Sequence, residues 1–275
     1  MGEVTERTVA ATVHGRYLVI PPANSGPAPV LVGFHGYGED AEAQLERLRA
    51  IPESTRWLCV SIQALHPFYQ RRTDRVVASW MTRQDRDLAI TDNTTYVRSC
   101  IEVVAAEWPT IPNIVFAGFS QGVAMAFRAA VDTIHGVASV IAVGGDVPPE
   151  LTPEPLKRVS AVLLAGGTSD DWYTKEQFAN DKQRLRHCSV SVHALTLNAG
   201  HEWSSDLIEA ASQFLRERYP SVPRSRAEYC WNPADKSRLV KMVEEGCDYN
   251  EIAAQIGRTA AACKAMYNLV TKKNA

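Results

Sequence analysis

The 275-residue chain lacks any apolar run near the roughly 20 residues that a bilayer-spanning helix needs, which excludes membrane insertion by that route. It begins MGEVTERTVA, with no basic start followed by an apolar stretch, so no secretory signal peptide is expected and a cytoplasmic location is. Met1-Gly2 is followed by Glu6 where a myristoylation signal requires Ser or Thr. There is no excess of either charge: 29 Lys+Arg against 31 Asp+Glu leave a net charge of −2, which argues against nucleic-acid binding by the chain as a whole. None of the six cysteines forms a CxxC pair, so reduced, buried thiols are expected. The alternative is a disulfide or metal within Cys230, Cys247 and Cys263. No internal repeat is visible. Hydrophobic residues at 45% and charged residues at 22% are ordinary for a globular protein, and this length can bury a substantial core.

Short apolar runs bounded by Pro and Gly read as buried strands over 30–34, 57–62, 113–117, 137–143, 160–165 and 190–197. Helical patterns fall between them, over 41–50, from Asp92 to just before Pro109, from 121 to about Asp132, over 174–187 and over 204–218. Residues 9–20 suggest a hairpin around His14-Gly15, and residues 63–91 a long functional loop without clear period. Strands that alternate with helices and are apolar on both faces predict a mostly parallel sheet covered on both sides, with its active site at the carboxyl ends of the strands. The expected organisation is an α/β domain over 1–220, a Pro/Ser/Arg-rich linker over 221–227, and a small three-helix, helix-turn-helix-like domain over 228–275.

Gly118-Phe119-Ser120-Gln121-Gly122 follows a strand and opens a helix, the context in which G-x-S-x-G forms a nucleophile elbow. The sharp turn strains the serine backbone, small flanking residues admit neighbouring chain, and the helix N-terminus points amides at a developing oxyanion. Partners should follow in the order acid, then histidine. Asp170 and Asp171 lie just past strand 160–165, and either could instead cap the next helix. His201 lies in a Gly-His loop after strand 190–197. His201 would take the Ser120 proton, and the acid would fix its tautomer. Gly33-Phe34-His35-Gly36-Tyr37-Gly38 ends strand 30–34 in a tight turn, so the backbone amides of Tyr37 and Gln121 are the expected oxyanion donors. Leu65, Phe68, Tyr69, Trp80 and Met81 are candidates for the substrate pocket, and each could equally be simple packing. The nearby Arg71, Arg72, Arg75, Arg83 and Arg86 read as a solvated, partly acid-paired surface. Only about 16 residues, 144–159, separate two strands, too few for a large cap, so an open site is expected.

The blocks HGYGED, GFSQG, GTSDDWY and AGHEW, in this order, make residues 30–218 resemble the carboxylesterase/phospholipase branch of the α/β-hydrolases, which includes acyl-protein thioesterases and dienelactone-hydrolase-like esterases. The resemblance implies an α/β-hydrolase fold, no cofactor, and ester or thioester cleavage through an acyl-enzyme. It also selects Asp170, three residues after Gly167, as the acid. Dienelactone hydrolases proper use cysteine where this chain has Ser120. Residues 228–275 resemble a Myb/SANT-like module through Trp231, Glu251-Ile252-Ala253 and Gly257-Arg258-Thr259, with Thr259 as an N-cap. In such modules the last helix enters the major groove. Here it carries Lys264 and Asn268, with Lys272, Lys273 and Arg258 at its ends. Residues 224–275 hold nine Lys+Arg and six Asp+Glu, a net +3 that would give only weak, salt-sensitive DNA affinity, so DNA, a protein partner or self-association, and a merely stabilising role all stay open for the tail. Two competing readings are a non-catalytic sensor that keeps the hydrolase fold and a peptidase of the same fold. An intact Ser, Asp and His in register favours the esterase.

Overall fold

Seven strands form one sheet in the order β1-β3-β2-β6-β7-β8-β9, in a computed structural model that describes residues 3–24, 26–133, 137–219, 231, 233–256 and 260–272. The strands are β1 (Tyr17–Ile20), β2 (Ala28–Phe34), β3 (Leu58–Ile62), β6 (Thr110–Phe119), β7 (Val137–Val143), β8 (Val159–Gly167) and β9 (Ser191–Leu197). All neighbours pair parallel except β1, which runs antiparallel to β3. The helices are α1 (Ala41–Ala50), α2 (Arg86–Glu107), α3 (Gln121–Asp132), the single turn α4 (Pro153–Leu156), α5 (Lys175–His187) and α6 (Ser205–Arg218).

The two faces of the sheet bury separate cores. In β6, Ile114 and Phe116 join one, while Val115, Ala117 and Phe119 join the other, the period-two alternation of a pleated strand. The first core takes Val97, Ile101 and Val104 of α2, Val123, Met125 and Phe127 of α3, and Leu185 of α5. The second takes Leu48 of α1 and Leu207, Ala211, Phe214 and Leu215 of α6. Helices on both faces satisfy a sheet whose β2 is buried along its whole length.

Two local expectations need correction. No hairpin forms over residues 9–20: only Tyr17–Ile20 is strand, and Val9 and Val13 stay exposed with no facing strand to cover them. Residues 63–91 are not a structureless loop. They contain an antiparallel hairpin of β4 (His66–Gln70) and β5 (Arg75–Ser79), and they end in the first turns of α2, which starts at Arg86 and encloses Asp92. The hairpin escapes a periodicity reading because β4 is mostly exposed. The first turn of α2 escapes it because it faces solvent, with Leu88 half-exposed.

The chain divides into two compact units, Met1–Pro220 and Ser221–Ala275. In the second, α7 (Pro233–Glu244), α8 (Tyr249–Ile256) and α9 (Ala260–Lys272) pack around Leu239, Met242, Ile252, Ala253 and Cys263, with Trp231 against them. Gly246, at φ 84°, closes the C-terminal end of α7 in a conformation suited to glycine. Lys264 and Asn268 are exposed on α9. The expected linker 221–227, Cys230, Arg258, the Thr259 cap and Lys273 lie outside the described residues. No helix among the described residues is long and apolar enough to cross a membrane.

Candidate active site at the carboxyl rim of the sheet

Ser120 sits between β6 and α3 with φ 53° and ψ −121°. A non-glycine residue there carries strain on the order of 1–3 kcal/mol, which the surrounding structure must hold in place. The hold is visible. The Ser120 amide donates to Val143 O at 2.9 Å, and its carbonyl accepts from the Val123 amide at 3.0 Å. The flanking glycines are demanded by space. A Cβ on Gly118 would lie 2.5 Å from Gly122 O, and one on Gly122 would lie 2.2 Å from Phe34 O. The helix therefore packs backbone to backbone against the loop after β2.

Asp170 and His201 leave β8 and β9 on adjacent loops that are stitched together. Thr168 N donates to Leu197 O at 2.8 Å and Ser169 N to Ala199 O at 3.0 Å. A Cβ on Gly167 would strike Gly200 O at 2.3 Å, so this crossing also requires glycine. One Asp170 oxygen, Oδ1, accepts the amides of Trp172 and Tyr173 at 2.8 and 2.9 Å. The other, Oδ2, lies 2.8 Å from His201 Nδ1. An ionised carboxylate only accepts, so Nδ1 carries the proton and the Nε2 lone pair is left free. Asp170 is 7% exposed, whereas Asp171 points to solvent. Neither aspartate caps α5: Thr174 does, in a reciprocal capping box with Gln177.

The loop after β7 joins these groups to Ser120. Gly144, at φ 61°, runs so close that a Cβ would meet His201 Nδ1 and Cε1 at 3.2 Å and Asp170 Oδ2 at 3.3 Å. A Cβ on the next residue, Gly145, would lie 2.3 Å from Ser120 O. Phe119 lays its ring 5.0 Å from the His201 imidazole, centroid to centroid.

The loop after β2 faces Ser120 from the other side, with Gly36 close enough that a Cβ would touch the serine Cβ at 3.3 Å. His35 beneath it is wholly buried and neutral. Its Nε2 accepts the Ala64 amide at 3.1 Å, so Nδ1 bears the proton given to Gly36 O at 2.7 Å. Burial pushes its pKa down, and the bond to Gly36 offsets this only in part. Gly36 N donates to Glu39 at 2.7 Å and Gly38 N to Ala78 O at 3.0 Å. Among the described residues, the amides of Tyr37 and Gln121 have no protein acceptor. The Gln121 side chain bridges to the strand end after β5. Its Nε2 donates to Met81 O at 2.8 Å and its Oε1 accepts the Trp80 amide at 2.9 Å.

Of the candidate pocket residues, Phe68 stacks on Tyr37 at 5.7 Å, Leu65 and Met81 are half-buried, and Tyr69 is exposed. Trp80 needs correction. It is wholly buried, donates Nε1–H to His35 O at 2.8 Å and packs on Phe34, so it braces the loop rather than facing a substrate. Arg75 pairs with Asp40 at 2.7 Å and Arg86 with Glu150 at 3.4 Å, while Arg71, Arg72 and Arg83 face solvent. Among the described residues no group of three or more His, Cys, Asp or Glu side chains is arranged to hold a metal ion. Sequence reasoning missed Gly144, Glu39 and Arg47. Glu39 stands in the HGYGED block, but nothing local marks Arg47, whose contacts depend on how α1 docks.

The profile of the phospholipase/carboxylesterase family matches residues 16–218. Among solved structures, the chain is similar to esterase PE8, with 21% identity, TM-score 0.58, and coverage of 74% of this chain and 99% of that one. Acyl-protein thioesterase 2 of Zea mays gives 18% identity, TM-score 0.58 and coverage of 74% and 99%. The Bacillus cereus carboxylesterase gives 16% identity, TM-score 0.58 and coverage of 74% and 95%. At these identities the likenesses speak to the fold. No curated protein matches the chain in sequence.

Proposed function

The chain belongs to the phospholipase/carboxylesterase family, and from that premise we propose that it is a serine hydrolase cleaving carboxylic esters, small or soluble acyl esters foremost, with thioesters within its chemistry. The observation that carries this reading is the 2.8 Å contact of Asp170 with His201 Nδ1 at the rim where Ser120 is held in its strained turn. It leaves the Nε2 lone pair of His201 to act as a base at the same rim as a serine whose hydroxyl is otherwise a poor nucleophile.

In this mechanism His201 Nε2 takes the Ser120 proton as Oγ attacks the acyl carbon. The amides of Tyr37 and Gln121 receive the oxyanion, and the N-terminus of α3 adds its dipole to the same point. Collapse of the adduct expels the alcohol or thiol, to which the imidazolium returns its proton. Water, deprotonated by His201, then attacks the acyl-enzyme, and the acid leaves with Ser120 restored. Asp170 stays ionised and stabilises the imidazolium in both halves. Preference for small esters rests on the 144–159 connection, whose one helical element is the single turn α4. Thioesters enter because a fold neighbour is an acyl-protein thioesterase.

A fluorophosphonate probe with short p-nitrophenyl esters tests the reading. Labelling at Ser120 and turnover are expected, both lost in Ser120→Ala. Absence of both in the folded wild type refutes it.

A further inference from the structure

Outside the groups that act on the substrate, one half-buried ion pair touches both halves of the site. Glu39 lies on the loop after β2, and Arg47 lies on α1. Both Glu39 oxygens take a guanidinium N–H of Arg47 at 2.6 Å, and Oε2 also accepts the Gly36 amide at 2.7 Å. The two side chains are only 18% and 24% exposed, so solvent screens the pair weakly. Burial works against a charged Glu39. The hydrogen bonds and charge of Arg47 outweigh it and hold the carboxyl below its ordinary range. The Cζ of the same guanidinium lies over the Phe119 ring, 4.1 Å from its centroid, and that ring lies 5.0 Å from the His201 imidazole.

We propose that the Glu39–Arg47 pair is a positioning clamp that holds the oxyanion loop and the shelf under His201 in register with Ser120. The proposal rests on the serine-hydrolase reading above. Three consecutive amides follow His35. Glu39 ties the first inward, Ala78 O ties the third, and only that of Tyr37 is left for an oxyanion. Releasing Glu39 removes one tie on this turn and leaves the Trp80 bond to His35 O and the His35 bond to Gly36 O, so the Tyr37 donor is held less firmly. Phe119 immediately precedes Ser120, so the cation over its ring fixes the residue that sets both the elbow and the imidazole's resting plane. The site demands arginine. A two-pronged fork meets the carboxylate while its Cζ lies over an aromatic ring, and a lysine ammonium can do only one of these. Neither residue touches substrate.

The test uses the full chain with Arg47→Met, Arg47→Lys and Glu39→Gln. Turnover of p-nitrophenyl butyrate is measured alongside inhibition by a trifluoromethyl ketone, to whose carbonyl the Ser120 oxygen adds, leaving a negative oxygen in the oxyanion site. Thermal unfolding reports the folded fraction. Losing a fixed oxyanion donor lowers kcat by about 10²–10³, so a loosened one is expected to lower it about 10- to 100-fold. KM should stay within about threefold, because the ground state makes little use of the donor. Affinity for the ketone should fall by the same factor as kcat/KM, and Arg47→Lys should recover only part of the loss. A pair that merely stabilises the fold would leave ketone binding and kcat of the folded variants unchanged. That result in both Arg47→Met and Glu39→Gln overturns the clamp, as does a loss that only tracks the unfolded fraction. A wild type unlabelled at Ser120 and inactive on esters overturns the underlying reading, and the clamp with it.

Discussion

Replacing Asp170 by Asn changes one atom and inverts the hydrogen-bond logic of the site. The Trp172 and Tyr173 amides point at Oδ1, at 2.8 and 2.9 Å, so the asparagine oxygen must face them and its NH₂ must face His201. An NH₂ group only donates. His201 Nδ1, 2.8 Å away, must then accept, which moves the imidazole proton to Nε2, the nitrogen that the proposed mechanism uses as its base. The tautomer is wrong although the geometry is kept. In a serine triad this change costs about 10⁴ in kcat, or about 5.5 kcal/mol of barrier. The fold should not notice, since both amides keep their acceptor. Asp170→Ala, by contrast, leaves the buried Tyr173 amide without an acceptor, at about 1–3 kcal/mol, and the part-buried Trp172 amide dependent on solvent. Steady-state ester hydrolysis and thermal unfolding of both variants, with Asp171→Asn as control, measure the difference. The exposed Asp171 should be neutral within about twofold, as surface substitutions usually are. Asp170→Asn at more than a tenth of wild-type kcat, or Asp171→Asn with the larger loss, refutes the assignment of the acid.

Two further outcomes follow from close packing and from burial. Gly144→Ala places a Cβ at 3.2 Å from the imidazole and 3.3 Å from the carboxylate; the shift of a few tenths of an ångström this forces should lower kcat about 10-fold or more. Its left-handed backbone adds about 1–2 kcal/mol of instability, read as a lowered Tm, and an active, fully stable variant would contradict this. Asp181 on α5 accepts Val147 N and the Tyr173 hydroxyl, both at 3.0 Å, and its burial raises the carboxyl pKa. The folded value lies above the unfolded one, so its contribution to stability is complete below the unfolded pKa and is lost as pH rises through the folded pKa. Asp181→Asn keeps the acceptor without the charge, and should gain Tm relative to wild type at pH 7 but not at pH 4. At about 2–4 °C per kcal/mol the difference is readable, and an equal shift at both pH values would contradict the burial argument.

The strands of the sheet core were legible because burial on both faces demands an unbroken apolar run, and such runs stand out between prolines and glycines. The Ser120 elbow was legible for a different reason: its requirements are local, and Gly118 and Gly122 meet them within five residues. Hairpin β4–β5 and the start of α2 escaped because they are stabilised on one side only, and their solvent-facing residues carry no periodicity. Trp80 was misplaced because an aromatic residue in a long loop reads the same whether it lines a pocket or braces one.

What the linear chain determined, then, is the alternation of elements, the glycines that no other residue can replace, and the order in which Ser120, Asp170 and His201 follow β6, β8 and β9. For the acid, the residues alone left Asp170 and Asp171 open and the family resemblance selected Asp170. Which amide of the three after His35 stays free, and the union of Glu39, Arg47 and Phe119, were decided only by the tertiary structure. Those are contacts between side chains on different elements. They depend on the rotation and docking of a helix or loop against the sheet, and a shift of one residue along the chain, as between Asp170 and Asp171, turns a side chain from the site to solvent without changing the local pattern.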